Sequence, residues 1–223
     1  MNNNLFKRIL TSLLLLILLS VSLFINKFLW LILLIFVSVI SLHEFNNLLK
    51  KIFKRKKKLI YTFNFFSSLY FVIFIYIGYN IYSYPPGGIV FIILICIFSD
   101  SGGYFIGKLV GGRKLTKISP NKTVAGSIGS FLFSLFPLII YFLIFHYTKN
   151  LDFYPSNILQ IIFLSLFLSL VCQSGDLFIS YFKRRAKVKD TGSILPGHGG
   201  LLDRIDGAIF VLPAAFIMDK LFF

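Results

Sequence analysis

An all-α integral membrane protein with about seven transmembrane helices is what this sequence predicts, and three observations carry the prediction. The 223 residues are 57% hydrophobic, include 28 Phe and have a mean hydropathy of +0.85. That leaves too few polar residues to cover the outside of a soluble fold. Apolar runs of about 20 residues recur along the chain, the length that crosses a bilayer's hydrocarbon core. Finally, all of the 23 Lys and Arg except Lys27, Lys149 and Lys220 fall in segments that alternating spans put on one side. Basic residues gather on the cytoplasmic side of membrane proteins, which predicts a cytoplasmic N-terminus and a C-terminus outside.

The spans are expected at about 8–25, 28–48, 60–82, 89–107, 124–147, 157–182 and 206–223. Lys7-Arg8 before an apolar core resembles a signal peptide. No small-residue cleavage pattern follows and the run restarts at Phe28, so it reads as a retained span. Asn26-Lys27 joins it tightly to the second. The run "KKIFKRKKK" at 50–58 follows on the cytoplasmic side, "YPPGG" at 84–88 ends the third span, and "DFYPSN" at 152–157 makes another turn. Two regions are expected: a three-helix membrane region over 1–83, and a catalytic membrane domain over 84–223 with cytoplasmic loops 108–123 and 183–205. The net charge of +15 then faces an anionic leaflet rather than nucleic acid. Cys96 and Cys172 lie in apolar segments without metal or disulfide spacing.

Only eight residues are acidic, and four of them lie between Gly175 and Asp206. A carboxylate inside a bilayer costs roughly 2.5–3.5 kcal/mol by insertion scales, so it marks a protein interior or a wet cavity. Asp100 and Asp176 fall in the cytoplasmic halves of spans four and six. Asp203 and Asp206 stand three apart at the entry to span seven, on one helix face. Asp176, Ser180 and Lys183 form a polar stripe at i, i+4, i+7. The loop that follows is dense in Lys and Arg, which donate to phosphates. Its Gly192, Gly197, Gly199 and Gly200 allow close backbone approach to a ligand. Carboxylates in a site for polyanions imply a divalent metal, with Mg²⁺ the natural choice. A second Gly- and base-rich stretch, 99–130, supplies Lys122; its Gly126 and Gly129 equally suit helix packing. A Walker-type phosphate loop is absent. His43-Glu44 near the end of span two reads as an interfacial cap, and His146 as interfacial.

These residues resemble a known family. Ser180, Lys183-Arg184, Lys189-Asp190, Gly192, Pro196, His198-Gly199-Gly200, Asp203-Arg204 and Asp206 stand at the spacing of the phosphatidate cytidylyltransferase (CDP-diacylglycerol synthase) signature. "SDSGGYFIGKLVGG" and "ISPNKTVAGSIGS" resemble that family's second conserved region. One departure is Ala125, where family members commonly carry Glu.

The resemblance implies a nucleotidyltransferase of phospholipid biosynthesis in which CTP and phosphatidic acid give CDP-diacylglycerol and pyrophosphate. The choice of cytidine comes from the resemblance alone. In-line transfer of this kind asks for positioning and charge neutralisation more than covalent help. Asp176 and Asp203 are expected as main ligands of Mg²⁺, with Asp206 and Asp100 as further ligands or supports, and a second cation as a further expectation. Asp176, Lys183, Asp203 and Asp206 form the expected catalytic set. Lys122, Ser180, Arg184, Lys189, His198, Gly199, Gly200 and Arg204 are expected around the substrates. Membrane lipids are the expected surroundings, a homodimer is a family-based expectation, and the expected location is a bacterial inner membrane with the active site facing the cytoplasm. Two other classes compete: a CTP-dependent polyprenol or lipid kinase, which would transfer the γ-phosphate instead, and an ion- or proton-coupled transporter, which would spread its carboxylates across the bilayer depth.

Overall fold

A computed structural model describes residues 3–82, 86–145 and 158–222, and every regular element among them is a helix. The expected turn at 152–157, Tyr84 and Pro85 of the one at 84–88, and His146 lie outside the described residues; Pro86, Gly87 and Gly88 are already helical. The helices are α1 (Asn3–Phe24), α2 (Lys27–Phe53), α3 (Lys57–Ile81), α4 (Pro86–Val110), α5 (Val124–Phe133), α6 (Phe136–Phe145), α7 (Ile158–Arg185), α8 (Leu202–Ile205) and α9 (Ala208–Phe222). α1, α2, α3, α4 and α7 are long and apolar enough to cross a membrane. Their outward faces carry large exposed side chains such as Leu16, Phe36, Phe65 and Leu159. Lipid is the solvent that covers such faces, and the chain is a multi-pass membrane protein.

The span expected at 124–147 is two helices. Ser134 and Leu135 turn between α5 and α6, and Pro137 is the second residue of α6. Proline has no N–H to give to the preceding turn, so an unbroken helix through this point would lose a bond and meet the ring. α9 has 15 residues with Pro213 inside it, fewer than the about 20 that span unaided.

Contacts divide the chain into two units. The first joins Met1–Tyr82 to Tyr181–Ile205, and the second joins Ser83–Ser180 to Asp206–Phe223. In the first unit α2 packs on α3. Trp30 Nε1 donates to the Gly78 carbonyl at 2.8 Å, and Leu34 fills the space beside Gly78, where an added Cβ would stand 2.7 Å from a Leu34 methyl. Phe45 and Phe63 meet Phe182 edge-on at 5.0 and 6.2 Å between ring centres, which ties the last turn of α7 to α2 and α3. α7 then stops in a paired-bond turn: Val188 N–H bonds to Lys183 O at 3.0 Å and Lys187 N–H to Arg184 O at 3.1 Å. Lys187, at φ 56, takes the left-handed position that glycine usually fills.

In the second unit α4 and α5 meet backbone to backbone. A Cβ on Gly126 would lie 2.7 Å from the Gly103 carbonyl oxygen, and one on Gly129 2.5 Å from Ile106 Cβ. These two glycines serve helix packing. Ser99 and Ser169 join α4 to α7 at 2.9 Å, and Phe178 and Phe210 join α7 to α9.

Candidate functional site

The second unit builds a polar cavity from α4, α5, α7 and the loop between α4 and α5. α4 ends where Gly111 (φ 64) and Gly112 (φ 89) turn left-handed, with Gly111 N–H bonded to Gly107 O at 3.1 Å. The loop closes as a small hairpin: Leu115 N–H reaches Lys122 O at 2.8 Å and Val124 N–H reaches Arg113 O at 2.9 Å. Thr123 then caps α5, its hydroxyl oxygen accepting from Gly126 N–H at 3.0 Å. The hairpin thus fixes the backbone of Lys122 beside the mouth of a cavity of about 290 Å³. Asp100, Asp176, Ser127, Gln173 and Lys122 are among the side chains that line it.

Lys122 Nζ is ion-paired with Asp176, and each of these side chains keeps 27% of its surface exposed. Ser180 donates to the other Asp176 oxygen at 3.2 Å, and Cys172 Sγ donates to Asp100 at 3.7 Å. Ser127 donates to Gln173 Oε1 at 2.5 Å. A half-exposed ion pair over a polar cavity is exchangeable: water competes for it, and a more highly charged ligand can take both partners.

Among the described residues no three His, Cys, Asp or Glu converge as a metal-holding group. Two carboxylates do line one cavity, and that set suits Mg²⁺, which takes one or two carboxylates and completes its shell with phosphate and water. Asp206 is buried in this unit, where its carboxylate accepts from Gly207 N–H at 2.9 Å; it is not among the residues lining the cavity. Ala125 is half-buried on the first turn of α5.

The first unit holds the loop after α7. Asp203 accepts from Lys183 Nζ at 2.8 Å through Oδ1, and through Oδ2 from Thr191 N–H at 2.7 Å, Thr191 Oγ1 at 3.0 Å and Gly200 N–H at 3.1 Å. These donors fold the loop around the carboxylate. Gly199, at φ 85, and Gly200 let the backbone reach it; a Cβ on Gly200 would fall 2.0 Å from Thr191 Oγ1. Arg204 donates to His198 O at 3.0 Å, while Arg184 and Lys189 are exposed. His198 Nδ1 meets Thr11 Oγ1 at 2.5 Å, and Arg8 Nε donates to Gly197 O at 2.9 Å, so α1 touches the loop tip. Burial first, then the Arg204 and Arg8 charges, lowers the His198 pKa below its usual value.

Sequence reasoning missed Glu44. The expected interfacial cap is a buried carboxylate, 1% exposed, that accepts from Thr191 Oγ1 at 2.8 Å, Leu201 N–H at 3.0 Å and Leu202 N–H at 2.9 Å. The available signal was the one applied to Asp100 and Asp176: a carboxylate in an apolar run needs partners.

With this geometry in place, the comparisons with known proteins agree on one class. Residues 53–222 match the Cytidylyltransferase family, and the chain belongs to that family. It is 42% identical over 139 residues to the phosphatidate cytidylyltransferase of Bacillus subtilis (strain 168), a match covering 60% of this chain and 49% of that protein. It is 44% identical over 131 residues to the protein of that name from Staphylococcus haemolyticus (strain JCSC1435), covering 58% and 48%. With the one from Rickettsia bellii (strain RML369-C) the identity is 45% over 118 residues, covering 52% and 50%. The chain spans about half the length of the curated relatives it matches.

Proposed function

We propose that this chain is a phosphatidate cytidylyltransferase, moving CMP from CTP onto phosphatidic acid to give CDP-diacylglycerol and pyrophosphate. The observation that carries the reading is the cavity lined by Asp100, Asp176 and Lys122, in a member of the Cytidylyltransferase family. The names of its relatives supply the lipid and the nucleotide.

The step is an in-line displacement. A phosphate oxygen of phosphatidic acid forms a bond to the α-phosphorus of CTP, and the bond from that phosphorus to the bridging oxygen breaks. The electron pair leaves with pyrophosphate. The attacking oxygen is already anionic, so no strong base is needed. Asp176 and Asp100 would hold Mg²⁺, which when bound neutralises the triphosphate and stabilises the charge that builds on the leaving group. Lys122, released from Asp176, turns to the phosphates. Lys183, Arg184, Lys189 and Arg204 are the proposed further donors for the triphosphate or the lipid phosphate, on the ground of their basic character and the signature they belong to. Asp203 holds Lys183 in place and shapes the loop.

The same reading places seven crossings in a bacterial inner membrane, with the N-terminus and the basic loops in the cytoplasm. It is supported by the distribution of Lys and Arg. The test is incubation of purified protein with labelled CTP, phosphatidic acid and Mg²⁺. A labelled lipid and free pyrophosphate are expected, EDTA should silence the reaction, and added Mg²⁺ should restore it. Release of CDP would instead make the chain a lipid kinase.

A further inference from the structure

Glu44 is the one acidic residue of α2, and it lies outside residues 53–222, the part of the chain that matches the family. Its carboxylate is nonetheless fully occupied by the signature loop. Leu201 N–H binds Oε1, and Leu202 N–H and Thr191 Oγ1 bind Oε2. No cation pairs with it among these contacts. Backbone and hydroxyl donors alone hold a buried anion, which is what a fixed structural acceptor needs. The loop is shaped to admit it: a Cβ on Gly192 would stand 2.5 Å from Glu44 Oε1, and one on Gly200 2.5 Å from Oε2.

Thr191 links Glu44 to the Lys183–Asp203 pair. Its hydroxyl stands 2.8 Å from Glu44 Oε2 and 3.0 Å from Asp203 Oδ2. A threonine hydroxyl has one hydrogen, so two carboxylates share one donor. Where that hydrogen points sets how Asp203 is held, and Asp203 sets where Lys183 Nζ sits. The chain of contacts runs Glu44, Thr191, Asp203, Lys183, without a gap and wholly within the first unit.

We propose that Glu44 is a positioning residue for CMP transfer, acting through Thr191 and Asp203 on Lys183. The inference rests on the cytidylyltransferase reading above. Partners of this kind, one contact removed from the reacting groups, typically change activity by about 10- to 100-fold when lost.

The experiment compares Glu44→Gln, Thr191→Val and Thr191→Ser with the full-length wild type in detergent, measuring kcat, the KM for CTP and tryptic cleavage at the exposed Arg184 and Lys189. Glu44→Gln keeps the shape but turns one acceptor oxygen into a donor facing N–H groups. It should lower kcat by about 10- to 100-fold with the KM for CTP little changed. Thr191→Val should match it, and Thr191→Ser, which keeps the hydroxyl, should restore turnover. The double variant Glu44→Gln/Thr191→Val should fall no further than either alone, as coupled neighbours do. Wild-type kcat in Glu44→Gln or in Thr191→Val overturns the proposal. So does a loss that merely follows the fraction of protein cleaved. If Glu44→Gln does not fold, the valine and serine variants decide the question alone: equal kcat in the two overturns it. Absence of lipid product from the wild type would instead sink the cytidylyltransferase reading, and the cleavage pattern would still report whether Glu44 holds the loop.

Discussion

Two lysine–aspartate pairs use the same chemistry for different ends. Lys122 and Asp176 pair over a cavity with 27% of each side chain exposed. Lys183 and Asp203 pair with 15% and 8% exposed, and three further donors close on Asp203. Water screens the first pair and competes for it, so it contributes little to stability and gives way to a ligand. The second is desolvated, and removing one partner strands a charge, at a cost of about 3–5 kcal/mol. The first pair is open to exchange with a ligand, which is the role proposed for it above. The second is locked in one geometry, so Lys183 Nζ and the loop around Asp203 are held together.

The largest effect that can break this contrast is loss of a carboxylate. Asp176→Asn should cut turnover on the order of 10³-fold, as weakening the hold on a cation that would meet the developing charge does, while the thermal midpoint in detergent barely moves. Asp203→Asn should lower turnover and the midpoint together. If Asp203→Asn leaves the midpoint alone but abolishes the response to Mg²⁺, Asp203 belongs with the metal after all. Near-normal turnover in Asp176→Asn would remove that residue from the cavity's chemistry.

The lysines give the next test. Lys122→Ala should cost less than about 1 kcal/mol of stability and lose activity. Lys183→Ala should cost about 3 kcal/mol and lose activity in detergent as well as in membranes. Unfolding in denaturant measures both, and equal costs would erase the distinction.

The smallest effect concerns the loop tip. The lowered His198 pKa means that the unfolded chain binds its proton first as pH falls, so protonation favours unfolding. The ring should titrate below the ordinary value of about 6.5, and loop stability should decline as pH drops through that region. Arg8→Ala removes a neighbouring positive charge and should raise the midpoint; an unchanged NMR titration would show that α1 does not hold the tip.

Much of this was legible in residue order. The long helices announce themselves because lipid-facing and core-facing positions are both apolar, so a span reads as an unbroken run. That Asp100, Asp176 and Lys122 face a common interior was legible too, since charge near an apolar run needs a reason, and the three do line one cavity. The break at Ser134 was hidden inside continuous hydrophobicity, with Pro137 its one outward sign. Glu44 was hidden because two of its three partners are backbone N–H groups about 157 residues on, and backbone donors leave no trace in side-chain patterns. The contacts Asp203 makes with Thr191 N–H and Gly200 N–H were hidden for the same reason.

The glycine seam between α4 and α5 leaves no room for one methyl group at Gly126 or Gly129. Two rods touching so closely cannot slide apart, so both ends of the 111–123 hairpin are bolted to a single rigid strut. Whatever reach Lys122 has over the cavity must come from the swing of its own four-carbon stem, and a bulkier residue in the seam would shift the strut on which that stem is mounted.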